Sequence, residues 1–443
     1  MTTITPPFVT PPKSVRTSLK LLEQTARYIL ETWPEEMYIG DSYQPPVKNF
    51  LFVMKPEAIS QILVTQSDKF EQSHLSRRII GPVWRSGIAT STGAKWRWQR
   101  RTAAPVFTPK SVKAIIPAAN KAGRALCQTW RAKAGTRCEI THDLGNAAQD
   151  VVLEGLLGSL STQQSAKVLQ DCGAELTKRA GRINYADLLF LPAWTRRFLG
   201  PILDKPAAAM HAEIAARLEA IKDDNSGPLL HLLAQSKDPE TGKVMSKEQL
   251  RDNIAGSIGA GRETTALGVA WALYLLARDP DTQQQVRAEI NTVIPSGDVS
   301  AEDIDKLHLT RAVFYEAMRL YPPAPQMVRD CMADANVAGI EVKKGMTITI
   351  PIYALHRNPD FWYQPNAFIP KRFLNPEVFA KQNRFHYLPF GGGASVCLGQ
   401  AFVMAEVVTM LAQIVRTFTI KDATEGEIEF ETGAALRAKV GSF

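Results

Sequence analysis

Helical periodicity dominates the middle of the chain. From about residue 111 to residue 321, apolar residues recur every three or four positions, which predicts mainly α-helix. Two short runs differ, at residues 49–54 (NFLFVM) and 345–352 (GMTITIPI), and each predicts a strand. Residues 418–443 have the pattern of short strands and turns. We therefore expect one large domain over all 443 residues, mainly α with a small β part near both ends, and a flexible Pro/Thr-rich segment over residues 1–20.

One predicted helix is unusually long. Ser246 and Gln249 have the spacing of a capping box, and the helical pattern then continues to Asp279, where Pro280 ends it. Such a helix has about 33 residues and a length of roughly 50 Å, so it should cross the middle of the molecule. Its centre, residues 256–265 (GSIGAGRETT), contains three glycines, each of which costs about 1 kcal/mol relative to alanine. Close approach of a flat ligand and close packing of another helix both explain glycines here.

Composition excludes several classes of function. The chain is 45% hydrophobic and 22% charged, which is enough to bury a large core. The net charge of +8 is spread along the chain without a recognition motif, so nucleic-acid binding is not expected, whereas a basic face for an acidic protein remains open. No apolar run reaches the roughly 18 residues of a membrane span, and the start lacks the apolar region of a signal peptide. We expect a cytoplasmic monomer without a membrane span.

The cysteines single out one position. There is no CxxC pair among Cys127, Cys138, Cys172, Cys331 and Cys397, so neither a disulfide framework nor a zinc cluster is expected. Cys397 follows a glycine-rich loop (YLPFGGGASVCLG) and precedes a helical pattern, and a helix N-terminus favours a thiolate. A metal ligand, a nucleophile and an inert buried thiol are all compatible with this position.

The loop itself carries a family resemblance. The pattern Phe390-x-x-Gly393-x-x-x-Cys397-x-Gly399 resembles the haem-binding loop of the cytochrome P450 family. The resemblance implies that Cys397 is the thiolate ligand of the haem iron, that Phe390 packs beside the sulfur, and that Gly391 and Gly393 let the loop lie close to the ring.

Four further segments resemble family motifs, and they occur in the family's order. They are the propionate-binding pair Trp96 and Arg100, the oxygen-binding stretch at residues 260–265, the ExxR motif of Glu316 and Arg319, and the PERF-type segment at residues 370–373. The resemblance implies that the long helix crosses over the haem and that Glu316, Arg319 and Arg372 form a buried bracing network.

The oxygen-binding stretch implies roles for four residues. Thr264 and Glu263 would deliver protons, because oxygen activation needs protons inside an apolar site. Ala260 and Gly261 would leave room for dioxygen and substrate above the iron.

One position departs from the family. Ser395 stands where the family usually has an Arg or His that contacts a haem propionate. Arg329 is the first candidate for the missing cation, and His356 and His386 are weaker ones. A less tightly held haem is the alternative.

The resemblance implies a haem-thiolate monooxygenase that inserts one oxygen atom of dioxygen into a C–H bond of an apolar organic substrate, by hydroxylation or O-dealkylation. Haem b is the expected cofactor. No GxGxxG follows a strand, so electrons from NAD(P)H should arrive through separate proteins, an acidic ferredoxin and a ferredoxin reductase. Their docking candidates are Arg97, Arg101, Lys381 and Arg384. A haem-thiolate isomerase or dehydratase, which needs no electrons, and a non-catalytic haem sensor are the alternatives.

The substrate is the least determined part. The expected pocket residues are Ile80, Val83, Leu189, Ala260 and Met327. Residues 96–107 (WRWQRRTAAPVF) resemble the branch of the family that includes fatty-acid oxidisers, and His74, Arg77 and Arg78 are placed to meet a carboxylate. We expect a medium or large apolar molecule that can carry an acid group, with terpenoid and aromatic substrates also open.

Overall fold

The structure is a computed structural model. It describes residues 3–13, 25, 28–45, 47–158, 162–180, 183–189, 191–199, 202–220, 227–375, 384–424, 428–432 and 435–438. The described chain is mainly helical with small sheets, as the periodicity predicts.

The longer helices follow one another from residue 74 onward. They are α1 (His74–Trp84), α2 (Gly93–Ala103), α3 (Ile116–Arg131), α4 (Thr141–Leu157), α5 (Gln163–Ala180), α6 (Asp204–Glu219), α7 (Pro228–Gln235), α8 (Lys247–Arg278), α9 (Pro280–Val293), α10 (His308–Leu320) and α11 (Gln400–Thr417). Shorter helical segments include Glu36–Ile39, Pro56–Ser60, Gln61–Thr65, Pro109–Val112, Tyr185–Leu188, Arg196–Leu199, Ala301–Lys306 and Ile352–Leu355. Among the described residues, no helix is both long and apolar enough to cross a bilayer.

Helix α8 is the long helix that the sequence predicts. The Ser246 hydroxyl accepts a hydrogen bond from the Gln249 amide at 3.3 Å, and the Ser246 amide donates to the Gln249 side chain at 2.8 Å, so the capping box is complete. The helix packs most extensively on α4. Two of its glycines allow close packing, because a Cβ on Gly256 would lie 2.8 Å from the Trp84 ring and one on Gly261 would lie 2.9 Å from Val152.

The predicted strands lie in one five-stranded sheet. Its order is β1 (Ser42–Tyr43), β2 (Phe50–Val53), β7 (Thr347–Ile350), β4 (Met327–Cys331) and β3 (Phe70–Gln72). Strands β2 and β7, which lie within the two predicted runs, pair in parallel, while the other neighbours are antiparallel. Two hairpins complete the β part, β5 with β6 (Ala335–Val337, Ile340–Val342) and β8 with β9 (Phe430–Thr432, Leu436–Ala438). The sheet fixes Arg329 on β4, opposite Ile348 and Gln72.

Residues 4–9, near the start of the chain, are hydrogen-bonded to the body of the domain. The Phe368 amide donates to the Ile4 carbonyl at 3.0 Å, the Tyr321 hydroxyl donates to the Pro7 carbonyl at 2.7 Å, and the Val9 amide donates to the Tyr353 hydroxyl at 3.1 Å. These three hydrogen bonds place residues 4–9 against the body of the domain, while the flexibility expected for residues 1–20 stays a prediction.

Candidate active site

Cys397 ends the glycine-rich loop immediately before α11. Its amide donates to the Phe390 carbonyl at 2.9 Å, which closes the loop, and Cys397 is exposed. Burial of the surroundings raises the pKa of the Cys397 thiol, while the Gly399 amide and the nearby Arg100 guanidinium act to lower that pKa. The amide and the guanidinium both stabilise a sulfur anion, which is the form that binds a metal.

The loop glycines adopt backbone conformations and packing that other residues could not readily take. Gly391 and Gly393 have φ angles of +73° and +63°, which side chains other than glycine rarely adopt. A Cβ on Gly393 would also collide with the carbonyl oxygen of Leu63, in the segment Gln61–Thr65. A Cβ on Gly391 would lie 3.4 Å from the side chain of Met327, so this predicted pocket residue lies next to the loop. Glycine is therefore needed at position 393 to pack the loop on the protein.

Two guanidinium groups, those of Arg100 and Arg329, lie near the Cys397 loop. Arg100 lies on α2 one turn after the half-buried Trp96, and Arg329 on β4 donates from Nη2 to the Ser395 hydroxyl at 2.8 Å. Within the part of the chain that the structure describes, neither arginine has a carboxylate partner. Burial lowers the pKa of Arg100, and burial lowers the pKa of Arg329 to about 10, so both are cations near neutral pH. Arg329 thus supplies positive charge next to the serine that replaces the family's cation.

The two histidine candidates occupy other places. His356 is fully buried, with Nε2 accepting from the Leu388 amide at 2.9 Å and Nδ1 lying 3.2 Å from the Arg319 carbonyl. The His386 ring stacks on Phe361 with ring centroids 3.9 Å apart. Since both nitrogens of His356 are engaged inside the protein, this residue cannot also serve as the missing cation.

Glu316, Arg319 and Arg372 lie together, as expected for a bracing network. Arg319 donates two hydrogen bonds to the Glu316 carboxylate, of 2.7 and 2.8 Å, and both side chains are fully buried. Arg319 also donates to the carbonyls of His356, Pro365 and Ala367, at 2.9, 2.6 and 2.9 Å. Arg372 reaches the same carboxylate of Glu316 from Nε at 3.1 Å. The network ties α10 to the chain that leads into the Cys397 loop.

The middle of α8 has one accessible face. Ala260 and Thr264, one turn apart, are accessible, whereas Ile258 and Thr265 are buried. The Thr264 hydroxyl donates to the Ala260 carbonyl at 2.6 Å, so the hydroxyl oxygen keeps its lone pairs for another donor.

Glu263 has a partner that the sequence did not indicate. Its carboxylate forms an ion pair with Arg437 on β9, and both side chains are mostly buried. Burial raises the pKa of Glu263, while Arg437 and then Arg262 act to lower it. Arg262 itself is buried and donates to Thr177 and Asn146, at 3.2 and 3.0 Å. No local pattern could have linked position 437 to position 263, because the contact joins two distant segments.

The expected substrate residues are spread over several elements. Ile80 is half-buried on α1, and Val83 is buried and lies 3.4 Å from where a Cβ on Gly259 would be. Leu189 is 49% exposed just after Tyr185–Leu188. The expectation that Arg78 is free to meet a carboxylate needs correction.

Arg78 and Arg196 converge on one buried carboxylate. Both donate from Nε to Asp187, each at 2.8 Å. The pairing links α1 to the helix Arg196–Leu199, because Arg196 also donates to the Arg78 carbonyl at 3.1 Å.

The docking candidates differ in availability. Arg101 forms ion pairs with Asp238 at 2.8 Å and Glu240 at 2.9 Å, so its charge is compensated within the protein. Arg97 and Arg384 are exposed. Lys381 lies outside the described residues.

Residues 42–441 match the family model described as cytochrome P450. The chain belongs to the cytochrome P450 family. It is 29% identical to human cytochrome P450 3A7 over 415 residues, which cover 88% of this chain and 80% of that protein. It is 30% identical to the cyclooctatin synthase of Streptomyces melanosporofaciens over 366 residues, which cover 81% and 78%. The crystal structure of the cytochrome P450DA haem domain has the same fold, with a TM-score of 0.78, 20% identity, and coverage of 90% of this chain and 89% of that one.

Membership makes the chain a haem-thiolate monooxygenase, of a family that uses haem b, dioxygen and electrons from NAD(P)H delivered by partner proteins. The side chains fit this cofactor. Cys397 is exposed near the N-terminus of α11, and its thiol can serve as the metal ligand. Arg100 and Arg329, which have no carboxylate partner among the described residues, can pair with the two haem propionates.

Proposed function

We propose that this P450 inserts one atom of dioxygen into a C–H bond of a medium or large apolar substrate, by hydroxylation or O-dealkylation, with electrons from a separate redox partner. The observation that carries the proposal is the exposed Cys397 at the end of the glycine-rich loop, where the Gly399 amide and the Arg100 guanidinium oppose the rise that burial causes in the pKa of its thiol. A thiolate ligand, when haem is bound, supplies the electron density that favours O–O cleavage over reversible oxygen binding.

In this proposal Cys397 would bind the haem iron, and Phe390 would pack beside the sulfur. Trp96, Arg100 and Arg329 bind the propionates, with Ser395 positioning the Arg329 guanidinium through its 2.8 Å hydrogen bond. Both guanidinium groups are half-buried, so an anionic ligand gains more from them than it would from fully solvated side chains.

Proton delivery is assigned to Thr264 and Glu263. The Thr264 hydroxyl is already bonded to Ala260, which fixes its oxygen as an acceptor on the accessible face of α8. Glu263, with a raised pKa, can carry a proton at a pH where an ordinary carboxyl cannot. Since Glu263 is paired with Arg437, it has to loosen that contact when it moves the proton.

The substrate assignment rests on charge as well as on apolar residues. Val83, beside α8, and Met327, beside the Cys397 loop, provide apolar surface. Arg78 and Arg196 are both engaged by Asp187, so neither is counted as a partner for a substrate acid. Arg77 on α1 is the remaining arginine of this segment that could meet an acid group, and an apolar molecule with one acid group is therefore the proposed substrate.

Two measurements test the proposal. The reduced protein with carbon monoxide should give the thiolate-type absorption band, and Cys397→Ser should remove it. Turnover with a surrogate ferredoxin, its reductase and labelled dioxygen should place one labelled oxygen atom in the product. Product made without any reductant would instead indicate an isomerase or dehydratase. A normal spectrum without turnover, across a library of compounds that shift the spin state, would indicate a sensor.

The redox partner can be tested separately. If an acidic ferredoxin docks at the exposed arginines, then Arg97→Glu and Arg384→Glu should raise the KM for ferredoxin, and high salt should do the same for the unchanged protein. Lys205→Glu on α6 is the matched control, and an equal effect of that variant would rule out a local docking site.

A further inference from the structure

The buried ring of His356 bridges two parts of the structure that the P450 function depends on. His356 follows the short helix Ile352–Leu355 and is fully buried. On one side the ring contacts the carbonyl of Arg319, at the end of α10. On the other side it accepts from the amide of Leu388, where the Cys397 loop begins.

The partners determine the protonation of this ring. A backbone amide can only donate, so Nε2, which meets the Leu388 amide, has to carry a lone pair. The ring proton therefore lies on Nδ1 and points to the Arg319 carbonyl, which is one of the helix-end carbonyls without an intrahelical partner. Burial, and then the Arg319 charge, lower the pKa of His356 well below the ordinary value, so the ring stays neutral.

From Leu388 the hydrogen bonds continue to the cysteine. The Leu388 carbonyl accepts from the Gly391 amide at 3.0 Å, and the Phe390 carbonyl accepts from the Cys397 amide at 2.9 Å. The Leu388 side chain is buried against Gly392. A displacement of the Leu388 amide would therefore move the turn that carries Cys397.

Aromatic neighbours hold the ring in this orientation. The ring centroid of Tyr387 lies 5.1 Å from that of His356, and the ring of Trp362 meets it edge-on at 6.3 Å. The Tyr387 hydroxyl is anchored on the Tyr315 carbonyl of α10 at 2.8 Å. The ring thus has one orientation and two fixed partners.

We propose that His356 is a positioning residue. It fixes the start of the Cys397 loop relative to α10 and so maintains thiolate ligation of the haem iron. The inference rests on the proposed function only in taking Cys397 as the ligand. It assigns no contact between His356 and the haem.

Two amide variants separate the two halves of the bridge. In His356→Gln the side-chain oxygen can take the place of Nε2 and accept from the Leu388 amide. In His356→Asn the side-chain nitrogen can take the place of Nδ1 and donate to the Arg319 carbonyl, but nothing reaches Leu388. His356→Phe keeps the ring packing and removes both bonds.

The readout is the ferrous carbon monoxide complex of each purified holoenzyme, followed over time as the thiolate-type band converts to the thiol-type band. We expect conversion about tenfold faster in His356→Asn and His356→Phe, because a buried amide loses its acceptor, and a rate within about twofold of the unchanged protein in His356→Gln. Hydrogen exchange at the Leu388 amide should be faster in the first two variants and protected in the third.

Several outcomes would overturn the inference. Equal conversion rates for the Gln and Asn variants would mean that only packing matters, and unchanged rates in all three would mean that the bridge does not act on the loop. If His356→Phe does not fold, the Gln and Asn pair still decides. A thiolate-type band in the unchanged protein without any product would contradict the proposed function and leave this inference standing.

Discussion

Arg437 in β9 holds the carboxylate of Glu263 in the middle of α8. The same guanidinium donates to the Thr177 carbonyl of α5 at 3.0 Å, so the last hairpin, the central helix and α5 meet at this acid. Glu263, which is expected to transfer protons, is thereby paired with Arg437, a cation close to the C-terminus of the chain.

Removing that cation should change the titration of the acid. Burial already raises the pKa of Glu263, and Arg437 opposes that rise, so Arg437→Met should raise the pKa further. The protonated form would then persist to higher pH. The carboxyl band that disappears in Glu263→Gln, followed by infrared spectroscopy against pH, measures this shift.

The control is an arginine whose pair lies elsewhere. Arg278→Met removes the ion pair with Asp422 at the end of α8 and should leave the Glu263 band unchanged. A lower pKa of Glu263 in Arg437→Met, seen as loss of the carboxyl band at lower pH, would contradict the assignment of the pair.

Loss of the Thr264 hydroxyl should uncouple electron use from product. Thr264→Ala removes the fixed acceptor on the accessible face of α8, so protons arrive less well and product per NAD(P)H should fall about tenfold or more, while NAD(P)H consumption continues. The ratio of product to NAD(P)H measures the effect. Thr129→Ala, which removes a comparable bond to the Ala125 carbonyl in α3, should change nothing. Unchanged coupling in Thr264→Ala would exclude the hydroxyl from proton delivery.

Arg329 should matter for cofactor retention because Ser395 carries no charge. In Arg329→Met one propionate loses its cation, and we expect haem transfer to an excess acceptor protein to be about tenfold faster. Ser395→Ala should have a smaller effect, since it removes only the hydrogen bond that orients the guanidinium. Arg97→Met, on the exposed side of α2, is the control. Equal rates of haem transfer in Arg329→Met and the unchanged protein would mean that Arg329 does not replace the missing propionate-binding cation.

The Glu316 network should dominate the stability of this region. Glu316→Ala leaves Arg319 buried and without its carboxylate, which costs about 3–5 kcal/mol in the free energy of unfolding. Glu175→Ala removes a half-exposed partner of Arg179 in α5 and should cost at most about 1 kcal/mol. Urea unfolding of both variants gives the comparison, and similar losses would mean that the Glu316 network is no stronger than a surface pair.

Contacts within one helix or loop could be predicted from the sequence. Glu316 and Arg319 are three residues apart, so helical geometry alone puts them together, and the capping box of Ser246 follows from the same kind of local spacing. The fold class follows from periodicity for the same reason.

Contacts between distant segments could not be predicted in this way. The pairing of Arg437 with Glu263 and the bond of His356 to the Leu388 amide depend on how strands and helices pack, and no period in the sequence encodes them. The engagement of Arg101 by Asp238 was missed because a lone arginine next to a motif gives no sign of its partner.

The tight fit of Gly393 on Leu63 has a practical consequence for directed evolution of new specificities. In a saturation library we expect substitutions at position 393 to be poorly tolerated, since any Cβ there meets the Leu63 carbonyl oxygen and forces the backbone to shift. Leu189 and Val83 are the better positions to vary if they line the substrate pocket as proposed, because neither takes part in the cysteine turn.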